Sequence, residues 1–227
     1  RGTYSFTNKE LANLWGYADG AGNEYALVGT QTGISIIDVT SPTNPTLVVN
    51  VTGPTSDWRE IKTYGGYAYV VTEGTTGTNV GLTIINLAFL PNLNVNNTSH
   101  VHTYRGDGAI LNQFTKAHAL HVDEAAGYLY LYGSNLNGGR PLILNLNTDP
   151  YNPTYAGYVN TNFTGSNYNY VHDGYASNNM LYAGHIYGGF FSIINTTNKT
   201  NPTLIATQNT PNNFTHNTWL NGSIMFT

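Results

Sequence analysis

A single phrase is written into this chain four times, and a fifth copy opens at its end. The first copy reads Tyr25-Ala-Leu-Val-Gly-Thr, then Gly33-Ile-Ser-Ile-Ile-Asp38, then Asn44-Pro45-Thr46 and an apolar run. The second has Tyr67-Ala-Tyr-Val-Val-Thr, Gly81-Leu-Thr-Ile-Ile-Asn86 and Pro91. The third has Tyr128-Leu-Tyr-Leu-Tyr, Pro141-Leu-Ile-Leu-Asn145 and Asn152-Pro153-Thr154. The fourth has Met180-Leu-Tyr-Ala-Gly, Phe191-Ser-Ile-Ile-Asn195 and Asn201-Pro202-Thr203. With Asp38, Asn86, Asn145 and Asn195 as anchors, the steps are 48, 59 and 50 residues. A period of that size points to propeller blades or another array, and it constrains the fold before any local motif is read.

Each copy holds about four short runs rich in Val, Ile, Tyr, Phe and Thr, separated by Gly, Asn, Asp and Pro, which read as strands and turns. No long stretch carries apolar residues at helical spacing between caps. Proline in Asn-Pro-Thr fits the entry to an outer strand, where the missing N–H costs no ladder bond. A four-stranded unit cannot bury both faces alone, and stacking such units around an axis solves this. The expected fold is therefore an all-β propeller of four-stranded blades, four to five of them visible; a β-sandwich with irregular repeats is the alternative. We expect one domain over 1–227, with copies at 13–56, 57–115, 116–170 and 171–214 and a partial one at 215–227. The last copy stops inside its second strand, so the chain is expected to belong to a longer protein.

Charged residues make up only 9%, so solubility rests on amides and hydroxyls, which suits a secreted or cell-surface protein. The formal charge is −4 and the eight Lys and Arg are scattered, which excludes a basic face for nucleic acid. There are no cysteines, hence no disulfides and no thiolate metal sites. No apolar run reaches membrane-spanning length. Phosphate loops, nucleophile elbows and His-Glu-x-x-His patterns are absent as well.

Aligning the first strand of each copy gives the column Leu14, Trp58, His118, His172, His216. Three of seven histidines thus share one repeat position in successive copies. In a propeller the first strand is innermost, so these side chains are expected to converge at one rim. The second strand returns to that rim, and its last residues are expected to be Thr30, Glu73, Ser134 and His185. With Asp173 beside His172, the expected metal set is His118, His172, His216, Glu73, Asp173 and His185. Imidazoles with a few carboxylates suit zinc or another transition metal, with calcium as the other option. Packing at the channel mouth and acid–base catalysis are the alternatives.

His118 and His121 are not expected to chelate together, because a spacing of three on a strand sends the rings to opposite faces. His100 and His102 fall on an expected outer strand. The polar insertion from Arg105 to Lys116 is expected to fold over the rim, and Arg105-Gly106-Asp107 is too short a string to read as a recognition motif. Tyr168 and Tyr170, in a rim loop before His172, offer stacking surfaces for a sugar or a peptide.

Four motifs carry a family resemblance: Asp57-Trp-Arg-Glu-Ile-Lys62 with Tyr67-Ala-Tyr-Val; Lys116-Ala-His-Ala-Leu with Gly127-Tyr-Leu-Tyr; Val171-His-Asp173; and Thr215-His-Asn-Thr-Trp-Leu220. Together they resemble the secreted LVIVD-repeat, or choice-of-anchor B, β-propellers. The resemblance implies an extracellular propeller with no established activity, often joined to a variable C-terminal anchoring segment. Gly184-His185-Ile186 departs from the family, whose members tend to carry an arginine and a glutamate there. The function expected is a binding or structural module with a metal-organised rim and an extracellular protein or glycan ligand. A lactonase-like metal-dependent hydrolase and a self-assembling filament subunit are the competing readings.

Overall fold

The computed structural model describes residues 1–7, 9–165 and 167–227. It is all-β apart from four single-turn 3-10 segments among the described residues, and its fold is the expected β-propeller. The chain divides into two compact units, residues 1–104 and 105–227.

The first unit holds two blades. One comprises β1 (Leu11–Ala18), β2 (Glu24–Thr30), β3 (Gly33–Asp38) and β4 (Thr46–Thr52); the other β5 (Arg59–Tyr64), β6 (Tyr67–Thr72), β7 (Leu82–Asn86) and β8 (Val101–Tyr104). The second unit holds β9 (Ala119–Asp123), β10 (Tyr128–Tyr132), β11 (Leu142–Asn145) and β12 (Thr154–Tyr158). A further blade follows with β13 (Asp173–Ser177), β14 (Met180–His185), β15 (Phe190–Asn195) and β16 (Thr203–Asn209), then the hairpin β17 (Trp219–Asn221) and β18 (Ile224–Phe226). Every four-stranded sheet is an antiparallel meander in chain order.

The anchors of the repeat have one job in all four blades. Each ends its third strand opposite the first or second residue of the second strand: Tyr25↔Asp38, Tyr67↔Asn86, Tyr128↔Asn145, Met180↔Asn195. Each then turns the chain by accepting, through Oδ1, the N–H two residues on, from Thr40 (2.9 Å), Ala88 (3.1 Å), Asn147 (2.9 Å) and Thr197 (2.9 Å). The turn needs only a short side-chain oxygen, which is why Asp and Asn interchange there. Where the outer strand follows Pro45, Pro153 or Pro202, its pairing also slips by a bulge, at Ile36/Ile37, Ile143/Leu144 and Ile193/Ile194. Proline and a bulge are devices that keep an exposed edge from pairing with another chain.

Strand alternation supplies the cores. In the first unit Leu27, Ile34, Ile36, Ile61, Val70 and Ile85 pack together, each at most 2% exposed. In the second, Tyr130, Tyr132, Ile143, Leu181, Ala183 and Ile194 do the same. Each such Leu or Ile contributes about 1.5–3 kcal/mol by burial.

Two buried charges tie blades together within the units. Arg59 is 5% exposed and donates from Nε to the Thr30 carbonyl (3.0 Å) and from Nη2 to that of Pro54 (2.6 Å). Burial lowers its pKa to about 10, so it stays charged at neutral pH. Asp123, fully buried at the end of β9, accepts the N–H groups of Ala126 (3.2 Å) and Asn178 (2.9 Å) on Oδ1 and that of Asn179 (2.7 Å) on Oδ2. Asn178 and Asn179 form the β13–β14 turn with φ of 52° and 62°, a left-handed backbone that Asn tolerates better than most residues. Lys199 completes this joint by donating to Asn179 Oδ1 and the Thr196 carbonyl, both at 2.6 Å, with its ammonium 4.0 Å above the Tyr128 ring.

Candidate functional site

The site is built where the inner strands of the second unit begin. His118 immediately precedes β9 and its N–H donates to the Tyr132 carbonyl (2.9 Å); His172 precedes β13 and donates likewise to Gly184 (3.0 Å). The same backbone bond at the same repeat position places both side chains on one edge. His216 comes from the approach to β17. The three rings form a column, His118–His172 at 4.1 Å between centroids with a 46° tilt and His172–His216 at 4.3 Å with 55°. Phe214 extends the column, its centroid 6.2 Å from that of His216.

His172 Nδ1 lies 2.8 Å from the His216 carbonyl oxygen. A carbonyl only accepts, so Nδ1 carries a proton, and in the neutral ring Nε2 then holds the lone pair. This is how a protein sets an imidazole to ligate a metal, by holding its other nitrogen against a carbonyl. The spacing is different, however. Two imidazoles sharing one tetrahedral ion at about 2.0 Å keep their ring centres roughly 5 Å apart, wider than either contact in the column. Among the described residues no group of three or more His, Asp or Glu side chains is arranged to hold a metal ion.

The other expected ligands are placed elsewhere. His185 ends β14 but is 1% exposed, and both its nitrogens are committed: Nδ1 donates to the Tyr168 carbonyl (2.7 Å) and Nε2 accepts from Ser192 Oγ (2.8 Å). It stacks on Phe190 at 4.4 Å and meets the edge of Phe163 at 4.9 Å. Burial drives its pKa down to about 4, so it is neutral at pH 7, and its ring holds the Tyr168 backbone with both nitrogens occupied. Asp173 accepts on Oδ1 from the Gly174 N–H at 2.7 Å. Glu73 belongs to the first unit. It also does not end its strand: β6 stops at Thr72 and β10 at Tyr132, so the expected column Thr30, Glu73, Ser134, His185 is corrected at its two middle members.

A second row of rings, with no signal in the repeat alignment, lies beside the column's strands. His121, Tyr175 and Trp219 lie three residues beyond the three column histidines, with His121–Tyr175 at 4.5 Å and Tyr175–Trp219 at 5.1 Å. His121 Nδ1 accepts the Ala176 N–H at 3.2 Å, so this histidine faces the next inner strand, apart from His118. His100 stacks on Phe89 at 3.5 Å and its Nδ1 accepts the Asn94 N–H, a local packing role.

The insertion after β8 is pinned to β12 instead of arching freely. Asp107 Oδ1 accepts the Tyr155 N–H at 2.7 Å, and Ile110 and Phe114 are buried. Gly106 sits at φ 106° with Ile110 O only 2.1 Å from where a Cβ would stand, so the Arg-Gly-Asp string is a structural turn.

The LVIVD repeat family matches residues 21–53 and 57–85. No curated protein matches the chain. Among solved structures, a putative 6-phosphogluconolactonase from Bacteroides fragilis NCTC 9343 is similar at 15% identity and a TM-score of 0.55, over 92% of this chain and 57% of that one. A putative 6-phosphogluconolactonase from Bacteroides uniformis ATCC 8492 gives 13% and 0.49, over 92% and 62%. A chain of a nidogen/laminin complex gives 10% and 0.41, over 91% and 82%. The first likeness is one of fold, and this chain spans little more than half of that protein's length.

Proposed function

We propose that this β-propeller chain, whose residues 21–53 and 57–85 match the LVIVD repeat, works as a secreted or cell-surface binding module whose ligand face is the rim carrying His118, His172 and His216. The observation that carries this reading is the column itself: imidazoles 54 and 44 residues apart in sequence stand in ring contact, with one tautomer fixed. Low charge and abundant Asn, Thr and Gly support the extracellular placement. No helix is long and apolar enough to cross a membrane among the described residues.

In this proposal a divalent transition ion organises the rim. His172 Nε2 would hold it, joined by His118 and His216 once their rings part by about 1 Å to reach ligand spacing. Imidazole donors favour zinc over calcium, which takes oxygen ligands. Calorimetric titration of the purified chain with zinc tests this part. Expected is near-equimolar uptake that weakens at least about tenfold in His172→Ala; no uptake, or uptake indifferent to that substitution, contradicts it.

The likeness to a putative 6-phosphogluconolactonase favours a second reading, a metal-dependent lactone hydrolase working at the same rim. Its test is hydrolysis of 6-phosphogluconolactone by the zinc-treated chain. A rate matched by His172→Ala removes it.

A further inference from the structure

We infer that this rim takes a pyranose sugar, stacked on Tyr187, whose backing ring Tyr170 packs at Gly133 next to His118. The inference rests on the reading of the rim as a ligand face and names the ligand's chemistry. Tyr170 is wedged against two residues that have no side chain. A Cβ on Gly133 would stand 2.5 Å from the Tyr170 hydroxyl oxygen and 2.9 Å from His118 Cβ, and a Cβ on Gly139 would stand 2.3 Å from the Tyr170 ring. Both glycines hold positive φ, 58° and 78°, so backbone and ring fix each other in place next to His118.

Tyr187, in the turn between β14 and β15, lies on this fixed ring at 5.4 Å and 55°, and is itself 59% exposed. An exposed tyrosine backed by an immobile one offers a large apolar face with little ordering left to lose on binding. On the far side of Tyr170, where the Gly133 Cβ site touches both the Tyr170 hydroxyl and His118 Cβ, the His118 imidazole and the Tyr170 hydroxyl supply polar groups. Apolar faces with a few placed polar groups are how small-ligand sites are composed. A sugar ring matches that pairing, presenting C–H bonds on one face and hydroxyls at its edge. The scarcity of charge, 9% over the chain, argues for an uncharged polyhydroxyl ligand over a phosphate or a carboxylate.

The test is calorimetry and saturation-transfer NMR of the whole chain against glucose, galactose, mannose, N-acetylglucosamine and their β-1,4-linked dimers. At least one is expected to bind without added metal. Binding should weaken at least about tenfold in Tyr187→Ala and persist in Tyr187→Phe, which keeps the ring. Failure of every sugar, or binding unaffected in Tyr187→Ala, overturns the inference. Zinc titration of the same samples separates the two ideas: zinc uptake without sugar binding removes the sugar and leaves the metal-organised rim standing.

Discussion

Replacing Asp123 by alanine is expected to cost about 4 kcal/mol of stability, among the largest single losses this chain can suffer. The carboxylate is fully buried and serves three backbone N–H groups on two blades of the second unit. Removing it strands the amides of Asn178 and Asn179 away from water, and a buried donor left unmade costs about 1–3 kcal/mol. Lys199, whose pKa burial lowers, also loses the carboxylate whose charge favours its ammonium form. Asp123→Asn should fall between, at about 2 kcal/mol, because one oxygen still accepts while the new NH2 opposes the Asn179 N–H. Urea denaturation gives the size of the loss. Amide exchange gives its location: the Asn178 and Asn179 amides should lose protection first. Unchanged protection there would contradict the role given to Asp123.

Acid should weaken the fold through His185. Its pKa is lowered to about 4 in the folded chain, against 6.5 for an ordinary histidine. Between those values the unfolded chain binds the extra proton, so stability is full above about pH 6.5 and falls as pH drops toward 4. The loss over that window is about 3 kcal/mol, from 1.36 kcal/mol per unit of pKa difference. Protonation leaves Nε2 unable to accept from Ser192 and puts a cation among Phe163 and Phe190. His185→Gln should be less stable at pH 7 and lose roughly 2–3 kcal/mol less than the parent on going to pH 4. Denaturation midpoints of both proteins at the two pH values decide it. Parallel acid sensitivity would mean that other groups carry the effect.

How much of this was legible in the sequence follows from which contacts are local. The anchors Asp38, Asn86, Asn145 and Asn195 could be read because their turn is made within two residues. Prolines marked the outer strands for the same reason. The histidine column was readable because a repeat carries equal positions to equal places. Glu73 and Ser134 lie past the ends of β6 and β10 because the connections to the third strand differ in length. Two residues separate β2 from β3, whereas nine separate β6 from β7. Counted from the residue paired with the anchor, the step from Tyr25 to Thr30 and from Met180 to His185 leads to Thr72, the end of β6, and to Gly133, just past the end of β10.

His185 itself had no sequence signal for its role. Its partner is the Tyr168 carbonyl, placed by a segment that Arg140 holds at Thr161 and Asn162 and that Asn169 closes on Phe163. A backbone oxygen has no residue identity to read. The tilted ring contacts of the column were equally hidden. Alignment tells which rings meet, and only the strand positions tell whether they meet ring against ring or around an ion.

The most direct measurement is long-range 1H–15N NMR of the histidine side chains, with ring-to-ring NOEs, on the metal-free chain. The expected spectrum shows His172 protonated on Nδ1 and His172 ring protons with NOEs to the rings of both His118 and His216. A His172 protonated on Nε2, or rings without mutual NOEs, would contradict the gathering of these three repeats into one rim.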